Sequence, residues 1–379
     1  MRALPDFPWD SLAAVKQRAS THPGGLVDLS VGTPVDPTPE VVQRALVEAA
    51  DAPGYPQTWG TPDLREAVSD WFARRRGTPG VDPDGVLPTI GSKELVAWLP
   101  TLLGLGERDI VAFPDIAYPT YDVGVRLAGA EPLPMRSLTG LGPMTRATTP
   151  KLLWLNTPSN PTGQVLGVGH LRKVVLWARQ HGVLVASDEC YAELDWRDGD
   201  GAGPGSDELT TPSLLDPRVC GGDHHGLLVV YSASKQSNLA GYRAAFVAGD
   251  VALVTQLLEV RKHAGMIVPW PVQRALLAAL GDDAHVAEQK ARYAARRELL
   301  RPAVEAAGLR VDHSEAGLYL WATRGEDAGE TVAWLAEHGI LAAPGTFYGT
   351  AGGKHVRIAL TASDEHIREA ARRLAGVTM

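Results

Sequence analysis

The stretch Tyr231–Phe246, YSASKQSNLAGYRAAF, is the part of this chain from which both its fold and its chemistry can be argued. An apolar run, GLLVVYSAS (226–234), leads into it, and a second, RAAFVAGD (243–250), ends it, as is typical of buried strands. Lys235 stands between them, and a buried lysine is costly unless it is paired or neutralised. It is therefore either a surface residue after a strand or a group that a ligand uses.

The neighbours of Lys235 favour an anionic ligand. Ser232 and Ser234 flank it and Arg243 follows eight residues later, so hydroxyl and guanidinium donors suited to phosphate oxygens lie close in sequence. Ligands of open α/β sheets bind at strand ends, which is where this lysine falls. Desolvation lowers the pKa of a lysine, and the neutral amine can then form a Schiff base.

Composition limits the class of protein. The 379 residues are 45% hydrophobic and 21% charged, which is ordinary for a globular chain with a large core or two domains. A net charge of −8 without a Lys/Arg-rich run disfavours nucleic acid or a membrane surface as partner. Without a secretory or transmembrane apolar run, we expect a soluble cytoplasmic protein. Cys190 and Cys220 match neither a disulfide framework nor a zinc motif, so no metal is predicted.

Short apolar runs alternate with helical patterns along most of the chain, which predicts an α/β fold with a mostly parallel sheet and helices on both faces. The predicted strands are 85–91, 109–115, 151–158, 182–189, 226–234 and 243–250. A long charged helix after residue 280 begins a smaller α+β region. We predict an N-terminal segment (1–44) packed on the small domain and the cleft, a large domain (45–277) and a small domain (278–379).

Further polar groups follow the predicted strands. IGSKEL (90–95) places Gly91 and Ser92 at a strand-to-helix turn, where backbone N–H groups hold phosphate well. SDECY (187–191) ends an apolar run with Asp188, whose carboxylate needs either a cation, such as a protonated ring nitrogen, or a helix N-cap role.

Two other turns carry residues suited to a flat ligand. PDIAYPTY (114–121) places Tyr118 where it can stack on a ring, whereas Tyr121 is expected to serve plain packing. NTPSNPTG (156–163) is an Asn/Pro turn denser than a simple connection needs. The segment 197–212, rich in Gly, Pro and Asp, predicts an exposed mobile loop.

The pattern Ser-x-Ser-Lys-x7-Arg, with NPTG, SDECY, AYP and GSKEL in this order, resembles the fold-type I pyridoxal 5′-phosphate (PLP) aminotransferases of the aspartate aminotransferase superfamily. The resemblance covers nearly the whole chain. It implies a large domain with a mostly parallel seven-stranded sheet flanked by helices, a smaller α+β domain, and PLP as cofactor.

The resemblance also implies roles for single residues. Lys235 would bind PLP through a Schiff base and move the substrate proton, and Asp188 would pair with the ring nitrogen. Tyr191 and Asn160 would bond the ring hydroxyl oxygen, and Tyr118 would stack on the ring. The residues implied to hold the phosphate are Ser92, Lys93, Ser232, Ser234 and Arg243.

Substrate and subunit contacts are implied in the same way. Arg357, in HVRIAL, would grip the substrate α-carboxylate, unless it makes a salt bridge between domains, and Asn160 would also contact substrate. Gly32, in DLSVGTP, would close over that carboxylate. Tyr55, with Gly60, Leu64 and Arg65 after it, would reach the phosphate of the neighbouring subunit, which implies a homodimer with shared sites.

A narrower resemblance concerns substrate. VDLSVGTPVDPTP, SNLAGYRAAFVAGD and RKHAGMIVPWPVQ resemble actinobacterial N-succinyldiaminopimelate aminotransferases. This implies conversion of N-succinyl-LL-2,6-diaminopimelate and 2-oxoglutarate into N-succinyl-2-amino-6-oxopimelate and L-glutamate, in lysine and diaminopimelate biosynthesis. The alternatives are an aminotransferase for alanine, aromatic amino acids or LL-diaminopimelate, a C–S β-lyase, and a regulatory PLP-binding domain. No basic patch supports the last of these.

Such a substrate needs a cation for each further carboxylate, because an unpaired buried carboxylate costs several kcal/mol. EVRKHAG (259–265) offers Lys262 or His263, and the alternative explanation of these residues is a solvated, charged helix end. Lys93 is a second candidate. Tyr319 and Trp321 either line a pocket or belong to the core.

Overall fold

The structure is a computed structural model that describes residues 4–137, 145, 148–197 and 211–376. The α-helices are α1 Ala13–Ser20, α2 Glu40–Glu48, α3 Pro62–Arg76, α4 Ser92–Leu102, α5 Thr120–Ala128, α6 Val168–His181, α7 Pro217–Cys220, α8 Val251–Ala264, α9 Trp270–Gly281, α10 Asp283–Ala306, α11 Ala328–Glu337 and α12 Asp364–Ala375. The strands are β1 Val27–Asp28, β2 Val86–Ile90, β3 Ile110–Pro114, β4 Glu131–Met135, β5 Leu152–Asn156, β6 Leu184–Asp188, β7 Leu227–Ser232, β8 Ala244–Gly249, β9 Arg310–Asp312, β10 Tyr319–Thr323, β11 Ile340–Leu341, β12 Ala343–Pro344 and β13 Val356–Ala359.

A seven-stranded sheet in the order β2-β8-β7-β6-β5-β3-β4 forms the centre of the molecule. Only β8 runs against its neighbours, pairing antiparallel with β2 and β7, while the other adjacent strands pair in parallel. This confirms the predicted α/β fold and its mostly parallel sheet. The carboxyl ends of β5, β6 and β7 therefore meet at one edge.

One strand of this sheet, β4, was not among the predicted strands. Its sequence, EPLPM, carries two prolines and a glutamate, which hide the apolar run. Proline cannot donate to a ladder, so it is confined to edge strands, and β4 pairs only with β3 at the edge of the sheet.

Apolar clusters cover both faces of the sheet. Trp71, Phe72 and Phe246 belong to the cluster on one face, and Tyr121 and Trp154 to the cluster on the other. Because successive strand side chains point to opposite faces, near-continuous apolar strands such as β7 supply both clusters. The strands are buried between these two clusters, so a ligand can reach them only at their ends.

The C-terminal part has a second sheet, in the order β12-β13-β10-β9, whose paired strands are antiparallel. The long predicted helix is present as α10, which packs against α12. Near the N-terminus β1 pairs in parallel with β11, so the first segment is hydrogen-bonded to the C-terminal part. The domain boundaries at 44/45 and 277/278 stay a prediction.

Two further observations concern the ends and loops. The loop predicted at 197–212 lies almost entirely outside the described residues. Within the described part of the chain, every helix is too short or too polar to cross a membrane.

Candidate active site

A cavity of about 620 Å³ opens where the carboxyl ends of the parallel strands meet. Every residue proposed from the sequence to bind cofactor or substrate lines it, with the exception of Tyr55, Lys262 and His263. The proposed residues brought together are Gly32, Ser92, Lys93, Tyr118, Asn160, Asp188, Tyr191, Ser232, Ser234, Lys235, Arg243 and Arg357. They come from both sheets and from the N-terminal segment.

Lys235 lies in the connection between β7 and β8, and its side chain projects into the cavity. Its Nζ donates a hydrogen bond to the carbonyl oxygen of Gly32 at 2.5 Å, so the amine is directed into the cleft and not towards solvent. A side chain at position 32 would overlap the hydroxyl of Tyr319. Glycine there lets the backbone approach both residues closely.

A cradle of donors for an anion lies beside Lys235. Ser232 Oγ and Ser234 Oγ are 2.7 Å apart. Arg243 has a left-handed backbone, with φ 57°, and its guanidinium covers Gly91, where a Cβ atom would overlap it. Ser92 then begins α4, whose first N–H groups lack helical partners. Hydroxyls, guanidinium and helix N-terminus together fit a phosphate group.

Asp188 is the last residue of β6 and is buried. Its carboxylate accepts hydrogen bonds from the Tyr121 hydroxyl at 3.0 Å and from the Cys190 N–H at 3.2 Å. Burial raises the pKa of Asp188, and the hydrogen bonds from Cys190 and Tyr121 oppose that shift. No described cation pairs with it, so a protonated ring nitrogen would supply the missing charge.

Tyr121 therefore does more than the packing expected of it. It is buried against Trp154 on the sheet face and at the same time holds Asp188. Sequence patterns could not reveal this contact, because α5 and β6 approach each other only in the folded chain.

Two amides shape the NTPSNPTG turn, whose Thr157–Pro158 and Asn160–Pro161 bonds are both cis. Asn156 donates through Nδ2 to the Asp188 carbonyl at 3.0 Å and accepts the Asn160 N–H at 2.8 Å. The turn is thereby fixed beside Asp188 with the Asn160 side chain at the cavity. Asn156 was missed as a cavity residue, although its place at a strand end was a usable signal.

Tyr191 and Tyr319 form a buried pair whose hydroxyl oxygens are 3.0 Å apart. Burial raises the pKa of Tyr191 well above its usual range. Burial acts in the same direction on Tyr319, but the charges of Arg357 and Lys235 outweigh it and lower the pKa of Tyr319. Tyr319 lines the cavity, while Trp321 stacks on His355 in the core.

Arg357 is 2% exposed on β13, the neighbour of β10. Its guanidinium donates to Asn160 Oδ1 at 3.1 Å and to the Ser30 carbonyl at 2.8 Å, and lies 4.0 Å above the Tyr319 ring. No described carboxylate pairs with it, so a salt bridge between domains does not explain its burial. The arrangement leaves a cation for an incoming carboxylate.

Lys93 also lines the cavity without a described carboxylate partner, as do Lys235 and Arg243. Its Nζ lies 5.9 Å from the ring centre of Tyr118 and 5.4 Å from that of Phe7. Phe7 and Trp9 belong to the N-terminal segment, and sequence reasoning did not single them out as cavity residues. Their only signal was their aromatic character in a segment expected to cover the cleft.

Three proposed residues lie away from the cavity of their own chain. Lys262 is exposed and pairs with Glu259 at 2.6 Å, and His263 is exposed as well. Tyr55 is fully exposed. Any role of these residues at a site requires a second subunit, so it stays a prediction.

The sequence of this chain is similar to those of known aminotransferases. A family model described as aminotransferase class I and II matches residues 25–374. The chain is 59% identical to a probable aminotransferase of Mycobacterium tuberculosis, over 98% of this chain and 85% of the relative. It is 56% identical to the 4-dedimethylamino-4-oxo-anhydrotetracycline transaminase OxyQ of Streptomyces rimosus, over 99% and 100%. An LL-diaminopimelate aminotransferase of Gloeobacter violaceus is 34% identical, over 98% and 95%.

Solved structures are similar over the same length. An aminotransferase from Neisseria meningitidis superposes with a TM-score of 0.86 and 30% identity, covering 98% of this chain and 97% of that one. A probable N-succinyldiaminopimelate aminotransferase from Thermus thermophilus gives 0.83 and 29%, covering 97% and 99%.

Proposed function

Because this chain belongs to the class I and II aminotransferase family, whose members depend on PLP, we propose that it transfers the amino group of N-succinyl-LL-2,6-diaminopimelate to 2-oxoglutarate. The products are N-succinyl-2-amino-6-oxopimelate and L-glutamate. The transferase chemistry follows from the family, and the identity of the substrate is our proposal.

The residues of the cavity fit PLP. Lys235 would bind its aldehyde carbon and Asp188 its ring nitrogen, with Tyr118 stacked on the ring. Tyr191 and Asn160 would bond its ring hydroxyl oxygen. The residues that would hold its phosphate are Ser92, Lys93, Ser232, Ser234 and Arg243. Bound there, PLP withdraws electrons from the substrate Cα and so acidifies the Cα–H bond.

The side chains of the chain itself then carry out positioning and proton transfer. Arg357 orients the substrate through its α-carboxylate by a two-pronged contact. Lys235 Nζ, directed into the cleft by the Gly32 carbonyl, accepts the Cα proton and returns it as a general base and acid. The buried carboxylate of Asp188 favours a protonated ring nitrogen, because each needs the other's charge in this environment.

The observation that supports the substrate proposal is that the cavity holds more cations than the cofactor would use: Lys93, Lys235, Arg243 and Arg357 line it without a described carboxylate partner. With Lys235 assigned to the cofactor aldehyde and Arg243 to its phosphate, Arg357 and Lys93 are left for the carboxylates of the substrate. One binds the α-carboxylate, and the other is free for a second carboxylate on the substrate. Both N-succinyl-diaminopimelate and glutamate carry at least one carboxylate beyond the α position. Lys93 would thus act on substrate as well as near the phosphate.

Related proteins support this proposal and also suggest a second candidate. The Thermus and Gloeobacter proteins are named for diaminopimelate or its N-succinyl derivative. The 56% identity to OxyQ over its full length favours amination of a polycyclic ketone as the second candidate. With L-glutamate as donor, mass spectrometry of the products of 4-dedimethylamino-4-oxo-anhydrotetracycline tests that reaction directly.

A half-reaction tests the proposed function. The yellow holoenzyme is mixed with N-succinyl-LL-diaminopimelate, L-glutamate, L-alanine or LL-diaminopimelate without oxo acid, and the visible absorbance is followed. Rapid bleaching by the succinylated donor and by glutamate is expected. Bleaching by alanine or LL-diaminopimelate in place of the succinylated donor would move the enzyme to another substrate.

In the same assay, Lys93→Ala is expected to slow the two acidic donors about tenfold or more while leaving alanine within about twofold. Equal slowing of all donors would assign Lys93 to the phosphate alone. Lys262→Ala tests the other cation: an unchanged ratio of succinylated to simple donors would exclude Lys262 as a reader of the distal carboxylate.

A further inference from the structure

A second cavity, of about 940 Å³, adjoins the active-site cavity. The two share a wall made of four residues, Phe7, Trp9, Lys93 and Tyr118. We call the second cavity the vestibule. Apart from Lys93 and Tyr118 in this shared wall, none of the residues assigned to the cofactor lines it, so cofactor binding does not account for its presence.

The four residues of the shared wall come from three separate segments of the chain: the N-terminal segment, the start of α4 and the turn before α5. Trp9 lies 5.3 Å from the ring of Phe347, which lines the vestibule, and 5.9 Å from the guanidinium carbon of Arg357, which lines the active site. Lys93 Nζ lies 5.4 Å from the ring centre of Phe7 and 5.9 Å from that of Tyr118. A substrate side chain that leaves the reacting carbon therefore meets aromatic faces on its way into the vestibule.

The surface of the vestibule favours an apolar occupant. Five prolines and six aromatic residues are among its lining residues, and Phe7 is 52% exposed although it is a large apolar side chain. Its Arg126 is already paired with Asp122 at 2.7 Å. Among the described residues that line the vestibule, Lys93 in the shared wall is therefore the one cation without a carboxylate partner.

The carboxylates of the vestibule argue against an anionic occupant. Asp6 and Asp115 line it without a described cationic partner. A distal carboxylate that passed Lys93 would meet these like charges, whereas a neutral ring would not. Flat rings are bound well by aromatic walls, through offset or edge-to-face contacts.

We propose that the vestibule is a second substrate subsite that takes the aromatic ring system of amino or oxo acids with long aryl side chains. The α-carboxylate lies on Arg357, the reacting carbon at Lys235, and the side chain passes between Phe7 and Tyr118. This activity rests on the aminotransferase chemistry of the site and not on the N-succinyl substrate.

Binding of an unreactive probe tests the subsite. The holoenzyme is titrated calorimetrically with 3-phenylpropanoate and with 3-(biphenyl-4-yl)propanoate, which carry the carboxylate but no amino or oxo group. The second ring is expected to tighten binding about tenfold or more, in line with its buried apolar area. Equal affinity for the two probes would overturn the proposal.

A substitution that fills the vestibule, paired with one that does not, shows whether the second ring binds there. Ala351 is exposed, lines the vestibule and lies outside the active-site cavity, so Ala351→Trp fills the space with little risk to folding, and Ala351→Ser does not fill it. Ala351→Trp should abolish the gain from the second ring, and Ala351→Ser should keep it. If Ala351→Trp retained the gain, the rings would bind elsewhere.

Turnover gives an independent readout. L-Biphenylalanine should act as amino donor in the wild type and lose at least about tenfold in kcat/KM in Ala351→Trp, while L-alanine stays within about twofold. No turnover of biphenylalanine by the wild type, or equal loss for both donors, would contradict the subsite. Failure of N-succinyl-diaminopimelate as donor would refute only the proposed function, since these probes do not include it.

Discussion

The carboxylate of Asp188 receives two hydrogen bonds from described residues and a salt bridge from none of them. Burial disfavours its charge, so the hydroxyl of Tyr121 has a measurable part in keeping it ionised. Hydrogen bonds to a charged group contribute about 1.5–3 kcal/mol. Two single-residue substitutions follow: one removes the hydrogen bond from Tyr121 to Asp188, and the other removes the amine of Lys235.

Tyr121→Phe keeps the ring against Trp154 and removes only the hydroxyl. Because that hydrogen bond lowers the pKa of Asp188, its loss raises the pKa, and the carboxylate is protonated at higher pH than before. We expect kcat to fall about tenfold and the acidic limb of the kcat/KM profile to move to higher pH. A pH–rate profile measures both, and an unchanged profile would leave Tyr121 with packing alone.

Lys235→Ala removes the amine that is directed into the cavity. Loss of the group proposed to move the Cα proton should lower transamination about a thousandfold. The visible absorbance of the bound cofactor should also change, because the proposed covalent anchor is gone. Lys173→Ala, an exposed lysine on α6, is the matched control and should alter neither property. Full turnover in Lys235→Ala would show that another group is the base.

At the scale of elements, the strand-to-helix turn before α4 depends on one glycine. Gly91 caps α4 with φ 77°, and the guanidinium of Arg243 occupies the place where a Cβ atom would be. An added methyl group would push away the arginine that belongs to the anion cradle. The helix N-terminus and the arginine therefore act as one unit.

Gly91→Ala and Gly104→Ala form a matched pair for this argument. Gly104 also has a positive φ, of 72°, but open space lies where its Cβ would be. Both changes add backbone strain of about 1–2 kcal/mol, and only the first displaces Arg243. We expect cofactor affinity, measured by equilibrium dialysis of PLP, to fall about tenfold or more in Gly91→Ala alone. A similar loss in both variants would attribute the effect to strain.

At the scale of the whole molecule, the site is assembled from distant parts of the chain. Gly32 and Arg357 meet because β1 pairs with β11 and the Ser30 carbonyl accepts from the arginine. Lys235 meets the same segment through its bond to Gly32. Tyr55, proposed to bind the cofactor, remains outside this assembly and is fully exposed, and the substrate candidates Lys262 and His263 also lie outside it.

The exposure of Tyr55 leads to a prediction about assembly. We expect a homodimer of twice 40.4 kDa in sedimentation equilibrium, in which Tyr55 reaches the neighbouring site. Tyr55→Phe should then weaken PLP binding about tenfold without changing the mass. A monomer with full activity, or a Tyr55→Phe variant with unchanged PLP affinity, would contradict the shared site.

The sequence by itself determined the α/β fold, most strands of the large sheet and twelve of the residues that line the cavity. Apolar runs ending in polar residues mark the carboxyl ends of strands, and those ends meet once the strands are parallel. Asp188 ends β6 and Lys235 follows β7, so both are local features of this kind. Arg243 instead precedes β8, whose amino end lies at the same edge because β8 is antiparallel to β7.

Only the tertiary structure decided the remaining features. The hydrogen bond of Tyr121, the contact between Gly91 and Arg243, and the vestibule each join segments that are distant along the chain. The edge strand β4 was missed because pairing with β3, and not its own apolar pattern, makes it a strand. Local patterns report which residues prefer burial, whereas contacts between elements are set by how the elements pack.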